Sequence, residues 1–239
     1  MLNVNSKIFS INSSNGIINW SYETVSENFK SLKSYNLMIV KNTLIFSNDN
    51  GDLIAINLIK NSILWSLNLR ESSTIDQGKI FEIFDISVNS NYLYISLKNG
   101  YFYKINIVNG VVKWKKLIRL QSSPVFLEKT IIFINNNNYL IIADKYSGSI
   151  LFSKNLNSQL KNNKVKKVIT FNKVLALAKS LYLLSDNSDI TFKINLSNLE
   201  NFKIIELKPS IIDNFFIKNK NIFFTDKKNL INKITINDY

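Results

Sequence analysis

The feature that most constrains the fold is a phrase that recurs along the whole chain of 239 residues. It consists of an apolar residue followed by Asn or Asp, three residues, Gly or a substitute, three residues and an aromatic residue. The Asn or Asp positions are Asn12, Asn57, Asn106, Asp144, Asn195 and Asn237, which lie 45, 49, 38, 51 and 42 residues apart. A period near 45 residues is typical of four-stranded sheet repeats rather than of helical pairs or leucine-rich repeats.

Each period also carries a strand, a turn and a second strand upstream of the phrase. These hairpins occupy residues 44–57, 93–106, 131–144 and 181–195. Their turns are predicted at Asn50-Gly51 and Asn99-Gly100, which are strong signals, and at Asn137-Asn138 and Asn187-Ser188, which are weaker. A further short strand is predicted before each hairpin, at 37–40, 86–88, 124–127, 168–171 and 211–217. No stretch of ten or more residues shows a convincing helical period.

One period therefore reads as four short antiparallel strands. Because a single sheet of this kind leaves both apolar faces exposed, several sheets must pack face to face. The sequence predicts an all-β fold, a β-propeller of four-stranded antiparallel blades with about five repeat periods. We expect a single domain over residues 1–239 with partial blades at 1–22 and 211–239.

The aromatic residue that closes each copy is predicted to be structural. A ring of this size fills the gap between two twisted neighbouring sheets. The alternative is an aromatic residue that lies on the surface or stacks on a ligand. The predicted structural aromatics are Trp20, Trp65, Trp114, Phe152 and Phe202.

The absence of Cys and His from the sequence excludes several classes of chemistry. Without thiol or imidazole groups there is no Cys/His zinc site, no Ser-His-Asp triad, no Cys nucleophile and no disulfide. Only chemistry based on carboxylates, lysine or tyrosine remains possible. We predict no catalytic, cofactor-binding or metal-binding residue, and no cofactor.

The formal charge is +13, from 30 Lys+Arg and 17 Asp+Glu. Only Arg70 and Arg119 are arginine, although arginine is the side chain best suited to forked recognition of phosphates. A cluster of lysines in residues 155–167 is interpreted as part of a solvated loop, with an acidic partner or lipid headgroups as the functional alternative. No aromatic residue is interleaved with this cluster, so no nucleic-acid partner is predicted. The clustered lysines are Lys161, Lys164, Lys166 and Lys167.

Neither a secretory signal nor a membrane-spanning segment is recognisable. Residues 1–7 lack a basic stretch followed by an apolar one, and no run approaches the roughly 18–20 apolar residues that span a bilayer. The expectation is a cytoplasmic protein if the sequence is complete as written. It is a periplasmic protein associated with the outer membrane if a leader precedes the chain.

Residues 42–65 and 121–152 resemble the PQQ-like, or quinoprotein-type, β-propeller repeat, whose hallmark is an Ala-x-Asp-x-x-x-Gly-x-x-x-Trp ending. The resemblance implies that the Trp docks between neighbouring blades. It also implies that the protein belongs to one of two functional branches of this superfamily. Quinoprotein dehydrogenases hold pyrroloquinoline quinone and Ca²⁺ at the propeller axis, whereas BamB-type lipoproteins are scaffolds in the machinery that assembles outer-membrane β-barrels.

The enzyme branch requires a carboxylate base, Ca²⁺ ligands, an Arg near the quinone and, in many members, a vicinal disulfide. Here the carboxylates Asp49, Asp52, Asp186 and Asp189 are predicted to lie in hairpin turns, where Asp caps its own backbone. The expected function is therefore a non-enzymatic scaffold that binds a subunit of an outer-membrane β-barrel assembly complex. The alternatives are a quinoprotein-like propeller that has lost catalysis and a cytosolic WD40-like scaffold.

Two further expectations concern the ends of the chain and the partner-binding loops. Strands at 7–11 and 17–22 could pair with 211–236 and close a small ring, or the chain could be part of an eight-bladed protein. Function is expected in the irregular spacers because loops that differ between repeats carry binding residues. These spacers are residues 23–33, 71–82 and 155–167.

Overall fold

Short antiparallel strands dominate the computed structural model of the chain. It describes residues 7–23, 37–48, 50–70, 81–177, 179–206, 213–218, 221–226 and 230–235, with the backbone alone at 213–218 and at Ile234. Within these ranges the elements are 21 strands and one short helix. The predicted all-β class and the four-stranded antiparallel blades are confirmed.

The first compact unit comprises residues 1–115. It contains a two-stranded sheet, β1-β2, and two four-stranded sheets, β3-β4-β5-β6 and β7-β8-β9-β10, in which each strand pairs with its neighbour in sequence. The strands are β1 Lys7–Ile11, β2 Ile18–Glu23, β3 Leu37–Val40, β4 Thr43–Ser47, β5 Asp52–Asn57, β6 Ser62–Asn68, β7 Ile83–Asn89, β8 Tyr92–Leu97, β9 Tyr101–Asn106 and β10 Val112–Leu117, which ends just past the unit boundary.

The second unit comprises residues 116–239. It contains the four-stranded sheets β11-β12-β13-β14 and β15-β16-β17-β18, a three-stranded sheet β19-β20-β21, and the helix. The elements are β11 Val125–Phe126, β12 Thr130–Ile134, β13 Tyr139–Asp144, β14 Ile150–Asn155, α1 Leu156–Asn162, β15 Lys173–Leu177, β16 Ser180–Ser185, β17 Ser188–Asn195, β18 Asn198–Glu206, β19 Asp213–Lys218, β20 Asn221–Thr225 and β21 Ile231–Thr235.

The two central strands of each four-stranded sheet carry buried residues on both faces. In β4 and β5, Phe46 and Ile54 pack toward Ile8 of the preceding sheet, whereas Ile45 and Ala55 pack toward the following one. The second unit repeats this arrangement around β12, β13, β16 and β17. Burial on both faces explains why β4, β5, β12 and β13 are nearly continuous apolar runs rather than alternating ones.

The repeated phrase forms the turn between the third and fourth strands of a blade. Asn106 Oδ1 accepts a hydrogen bond from Val108 N at 2.8 Å, and Gly110 N donates to Asn106 O at 2.9 Å. Gly110 has φ +70°, and Asn61, which replaces Gly in another copy, has φ +51°. Since Gly and Asn tolerate this left-handed conformation best, the Gly position of the phrase is a requirement of the turn.

A β-bulge lies immediately before the aromatic residue. Ala55 pairs with Trp65 and Ile56 pairs with Ile63, which leaves Leu64 as the extra residue on β6. Such a bulge redirects the side chains on either side of it. The equivalent extra residues in two other sheets are Asn19 and Leu151.

Two predictions within residues 155–171 are wrong. Residues 155–167 were expected to be a loop, but Leu156–Asn162 is α1, capped by the Asn155 side chain and anchored by the buried Leu156 and Leu160. Residues 168–171 were expected to be a strand, but the first strand of that blade is β15, Lys173–Leu177. The backbone of 168–171 is instead bonded by side chains of neighbouring turns.

The structure contains the predicted hairpins with small differences. Gly51, Gly100 and Asn138 have positive φ in their turns. The fourth hairpin is shifted by one residue, because Ser188 already pairs with Ser185 and begins β17. Asp189, predicted in that turn, therefore lies in the strand. Asp49, most of the spacers at 23–33 and 71–82, and the truncated sixth copy at 236–237 lie outside the described residues. The ring-closing pairing remains a prediction.

Candidate interaction surfaces

Trp65 joins two neighbouring blades of the first unit. It lies on β6, is 8% exposed, and donates its indole Nε1–H to the Ile107 carbonyl at 2.8 Å. The face of its ring covers Gly110 of the next blade, where an added Cβ would lie 2.7 Å from Trp65 Cδ2. Gly110 thus permits both the left-handed turn and the close approach of the indole.

The other repeat aromatics also lie on the outer strand of their sheets but differ in burial. Trp114 is 9% exposed and contacts Tyr94 and Phe102 with ring centroids 5.9 and 5.2 Å apart. Phe202 is 7% exposed and meets Phe192 edge-on at 5.4 Å. Two members are only partly buried, and each packs against the hydrophobic cluster of its own unit: Trp20 and Phe152.

The Trp65 hydrogen bond can be tested by a conservative substitution. Trp65→Phe keeps an aromatic ring but leaves the Ile107 carbonyl without its indole donor, so we expect a loss of about 1–2 kcal/mol in the free energy of unfolding. Trp20→Phe serves as the control because Trp20 is only partly buried, and it should cost less. Urea denaturation measures both, and equal losses would contradict the role of the Nε1–H bond.

Two of the predicted hairpin carboxylates, Asp52 and Asp186, are bonded within the fold. Asp52 accepts from Asn48 Nδ2 at 2.9 Å and from Asn68 Nδ2 at 2.6 Å. Asp186 is bonded by Asn172 and ion-paired with Lys173. Among the described residues no group of three or more His, Cys, Asp or Glu side chains could hold a metal ion. This donor set does not fit a Ca²⁺–quinone centre.

A buried lysine and two tyrosines form a second cluster that is part of the fold. Lys104 is 5% exposed, and its Nζ lies 4.1 Å from the centroid of the Tyr92 ring. Tyr94 is 1% exposed, and burial raises the pKa of its phenol well above the usual value, with a further contribution from Tyr92.

An exposed apolar rim lies beside the Trp65 contact. The bulge on β6 leaves Ile63 and Leu64 both exposed, and the Trp65–Ile107 hydrogen bond places them next to the following blade's turn. We define the turn rim as six exposed aliphatic residues, with exposed fractions of 37–73%: Ile59, Ile63, Leu64, Val108, Val111 and Val112. No shared sequence signal marks it, because the two residues before the aromatic are both apolar in only two of the five copies, at Ile63-Leu64 and Ile150-Leu151.

A basic surface surrounds the C-terminal end of α1. Lys161, Lys164, Lys166 and Lys167 are exposed, as the sequence suggested, but Lys161 lies in the last turn of a folded helix and the other three follow it. We define the lysine patch as these four residues together with Val168, which is 81% exposed. The sequence signal that was missed is the complete absence of Asp and Glu between Asp144 and Asp186.

Stacked four-stranded blades, the Asn- or Asp-capped turn and the tryptophan that docks on the next blade together define a PQQ-like-repeat β-propeller protein. A sequence profile described as outer membrane protein assembly factor BamB matches residues 2–154. Because this match covers more than half of the chain, the chain belongs to that family.

Comparison with individual proteins gives more distant similarities. The uncharacterized protein RP232 of Rickettsia prowazekii (strain Madrid E) is 23% identical over 156 residues, which are 64% of this chain and 37% of RP232. The chain thus matches well under half of that relative's length.

Several solved structures share the fold. BamB from Moraxella catarrhalis has a TM-score of 0.64 at 12% identity, covering 98% of this chain and 68% of that one. Saccharomyces cerevisiae Sqt1 has a TM-score of 0.66 at 11% identity with the same coverages, 98% and 68%. The computationally designed Ika8 protein has a TM-score of 0.59 at 10% identity, covering 87% and 60%. At these identities the similarities establish the fold alone.

The described part of the chain contains no helix that is long and apolar enough to cross a membrane.

Proposed function

We propose that this chain is a non-enzymatic protein-interaction scaffold that assists the assembly and insertion of β-barrel proteins into the outer membrane. The observation that carries the proposal is the match of residues 2–154 to the assembly-factor profile. The use of Asp52 and Asp186 within hairpins supports the non-enzymatic part. The partner is a subunit of an outer-membrane β-barrel assembly complex, and the compartment is the periplasm.

The turn rim is the surface proposed to meet this partner. Its exposed aliphatic side chains lie on two adjacent blades that Trp65 holds together, so they present a rigid apolar strip. Contiguous exposed apolar residues mark protein-binding sites more often than isolated ones do. Rigidity favours binding because little side-chain or loop ordering remains to be lost.

The charges around the rim indicate the chemistry of the partner surface. Lys60 is exposed on the first of these turns and Lys113 is exposed on β10 just after the second, and residues 57–64 and 106–113 contain no acidic residue. Cationic groups at the edge of an apolar patch favour a partner with carboxylates around an apolar centre. The proposed occupant is therefore an apolar surface rimmed by Asp or Glu on the assembly subunit.

Site-specific photocrosslinking in the native cells tests this proposal. A photoreactive residue at Val108, which is 71% exposed, is expected to crosslink to a β-barrel assembly subunit identified by mass spectrometry. The matched control is Ile231, an aliphatic residue that is 82% exposed on β21, and it should not give this product. A second variant, Val108→Asp, should abolish capture of the subunit because it buries an unpaired charge.

Two results would overturn the proposal. Crosslinks from Val108 only to cytosolic proteins would favour a cytosolic scaffold instead. Equal crosslinking to the assembly subunit from Val108 and Ile231 would show that the turn rim is not the contact surface.

A further inference from the structure

The lysine patch lies at the C-terminal end of α1, where a lysine occupies the left-handed position that usually holds glycine. Lys164 N donates to Lys161 O at 2.9 Å, and Val165 N donates to Leu160 O at 2.9 Å, which is the bonding pattern of a Schellman C-cap. Lys164 occupies the left-handed position with φ +60°, where Gly would be least strained. The fold therefore holds a lysine at a position where lysine costs stability.

The lysines of the patch differ from neighbouring ones in their bonding. Lys154 pairs with Glu200, Lys173 pairs with Asp186, and Lys145 Nζ donates to Leu127 O at 2.9 Å. Within the part of the chain that the structure describes, Lys161, Lys164 and Lys166 form no such ion pair and are exposed. Lys167 Nζ donates to Asn187 O at 2.9 Å, which fixes the chain beside them.

The composition of the patch distinguishes between two kinds of anionic partner. Protein interfaces are enriched in Tyr, Trp and Arg and depleted in Lys. The patch is rich in Lys and contains no Tyr, Trp or Arg. Clusters of lysine are attracted to anionic phospholipid surfaces without needing forked geometry. Val168, next to Lys167 and 81% exposed, can enter the headgroup region as an apolar contact.

We propose that the lysine patch at the end of α1 binds an anionic phospholipid surface. Lys161, Lys164 and Lys166 contact the headgroups, and Val168 inserts among them. The buried Leu156 and Leu160 hold the helix against the core, so the charges are presented at fixed positions. This surface shares no residue with the turn rim, and the proposal does not depend on the protein partner.

Co-sedimentation with vesicles tests the proposal. The chain is expected to bind vesicles of phosphatidylglycerol mixed with phosphatidylcholine and not vesicles of phosphatidylcholine alone. Each lysine removed should weaken binding about fivefold. Binding should also fall as ionic strength rises toward 1 M, where the Debye length is only about 3 Å.

Lys164→Gly is the informative single variant. It removes a charge and also relieves the backbone strain of a lysine in the left-handed conformation. The free energy of unfolding should therefore be unchanged or higher. The matched control is Lys41→Gly, which makes the same change at an exposed left-handed lysine with φ +53° outside the patch. The first should lose about fivefold in vesicle binding, and the second should lose much less.

Triple variants distinguish the effect of the patch on vesicle binding from the effect of the net charge. Removing three patch lysines should weaken binding about a hundredfold, whereas an equal change of charge elsewhere should have a small effect. The patch variant is Lys161→Gln, Lys164→Gly and Lys166→Gln, and the control variant changes three exposed lysines outside both surfaces, as Lys41→Gly, Lys129→Gln and Lys203→Gln. Equal losses would overturn the proposal, because they would show that overall charge alone drives binding.

An acidic polypeptide is the competing occupant, and poly-glutamate is the probe for it. Binding of poly-glutamate that Lys164→Gly abolishes, without vesicle binding, would overturn the lipid assignment. The vesicle assay contains no partner protein, so its failure would leave the crosslinking result at Val108 unaffected.

Discussion

Replacing Gly110 by alanine is expected to destabilise the first unit by about 3 kcal/mol. Two costs combine at this position. An L-residue at φ +70° costs about 1–2 kcal/mol. The new Cβ would also lie 2.7 Å from Trp65 Cδ2 and 2.9 Å from Cε3, and relieving this overlap costs about 1–3 kcal/mol. Urea denaturation followed by tryptophan fluorescence measures the loss.

Gly16 provides the matched control for this prediction. It occupies the same position of the repeated phrase with φ +73°, but an added Cβ would meet nothing within 4 Å. Gly16→Ala should therefore show only the conformational cost, about 1–2 kcal/mol. If Gly16→Ala and Gly110→Ala lost equal stability, the packing of Trp65 on Gly110 would not contribute.

A double-mutant cycle can isolate that contact. When Trp65 is already replaced by leucine, Gly110→Ala should cost less than it does in the native chain, because the smaller side chain leaves room for the Cβ. Residues in direct contact show coupling free energies of about 0.5–3 kcal/mol. Additive losses would contradict the predicted overlap.

The blades were predictable from sequence because their signals are local. Apolar runs in the central strands, together with turns at Gly51 and Gly100, determine strand positions and pairing. The repeated Asn or Asp predicts the capped turn for the same reason. Ring size and the family resemblance predict that Trp65 packs between neighbouring sheets, but neither predicts its contact with Gly110, because the two residues are 45 positions apart.

The turn rim could not be predicted because it depends on a bulge. Strict alternation along β6 would point Ile63 and Leu64 to opposite faces, so one of them would be expected to be buried. The bulge at Leu64 leaves both exposed. Pairing register of this kind is not encoded in the apolar pattern alone.

The helix α1 was missed because seven residues are too few for a helical period. Its local signals were the Asn155 cap and the Leu156–Leu160 spacing of four. The segment 168–171 has the β-branched residues that are typical of a strand. Its backbone groups, however, form hydrogen bonds with a side chain from another turn. That side chain is Asn138.

Asn138 connects three segments of the second unit. Its Nδ2 donates to Asn157 Oδ1 at 2.7 Å and to Ile169 O at 2.9 Å, and its Oδ1 accepts from Phe171 N at 3.0 Å. Asn138 is 7% exposed, and Ile169 and Phe171 are fully buried. Water therefore has little access to these backbone groups if the side chain is removed.

Asn138→Ala is expected to cost about 3 kcal/mol in the free energy of unfolding. The Phe171 N–H and the Ile169 carbonyl lose their partners, at about 1–3 kcal/mol each with partial relaxation. Alanine must also adopt φ +60°, so Asn138→Gly should cost about 1 kcal/mol less. Asn137→Ala, at an exposed neighbour in the same turn, should change stability by less than about 0.5 kcal/mol.

Amide hydrogen exchange at Phe171 distinguishes the loss of these bonds from a general destabilisation. In the native chain this amide should exchange only on large-scale unfolding, because it is buried and bonded to Asn138 Oδ1. In Asn138→Ala and Asn138→Gly it should exchange through local opening, faster than the amides of β12 and β13. Asn138→Asp keeps the acceptor for Phe171 N and should retain more of the protection there while weakening the contact with Ile169 O. Unchanged protection of Phe171 in Asn138→Ala would show that the segment 168–171 is held by packing rather than by the asparagine side chain.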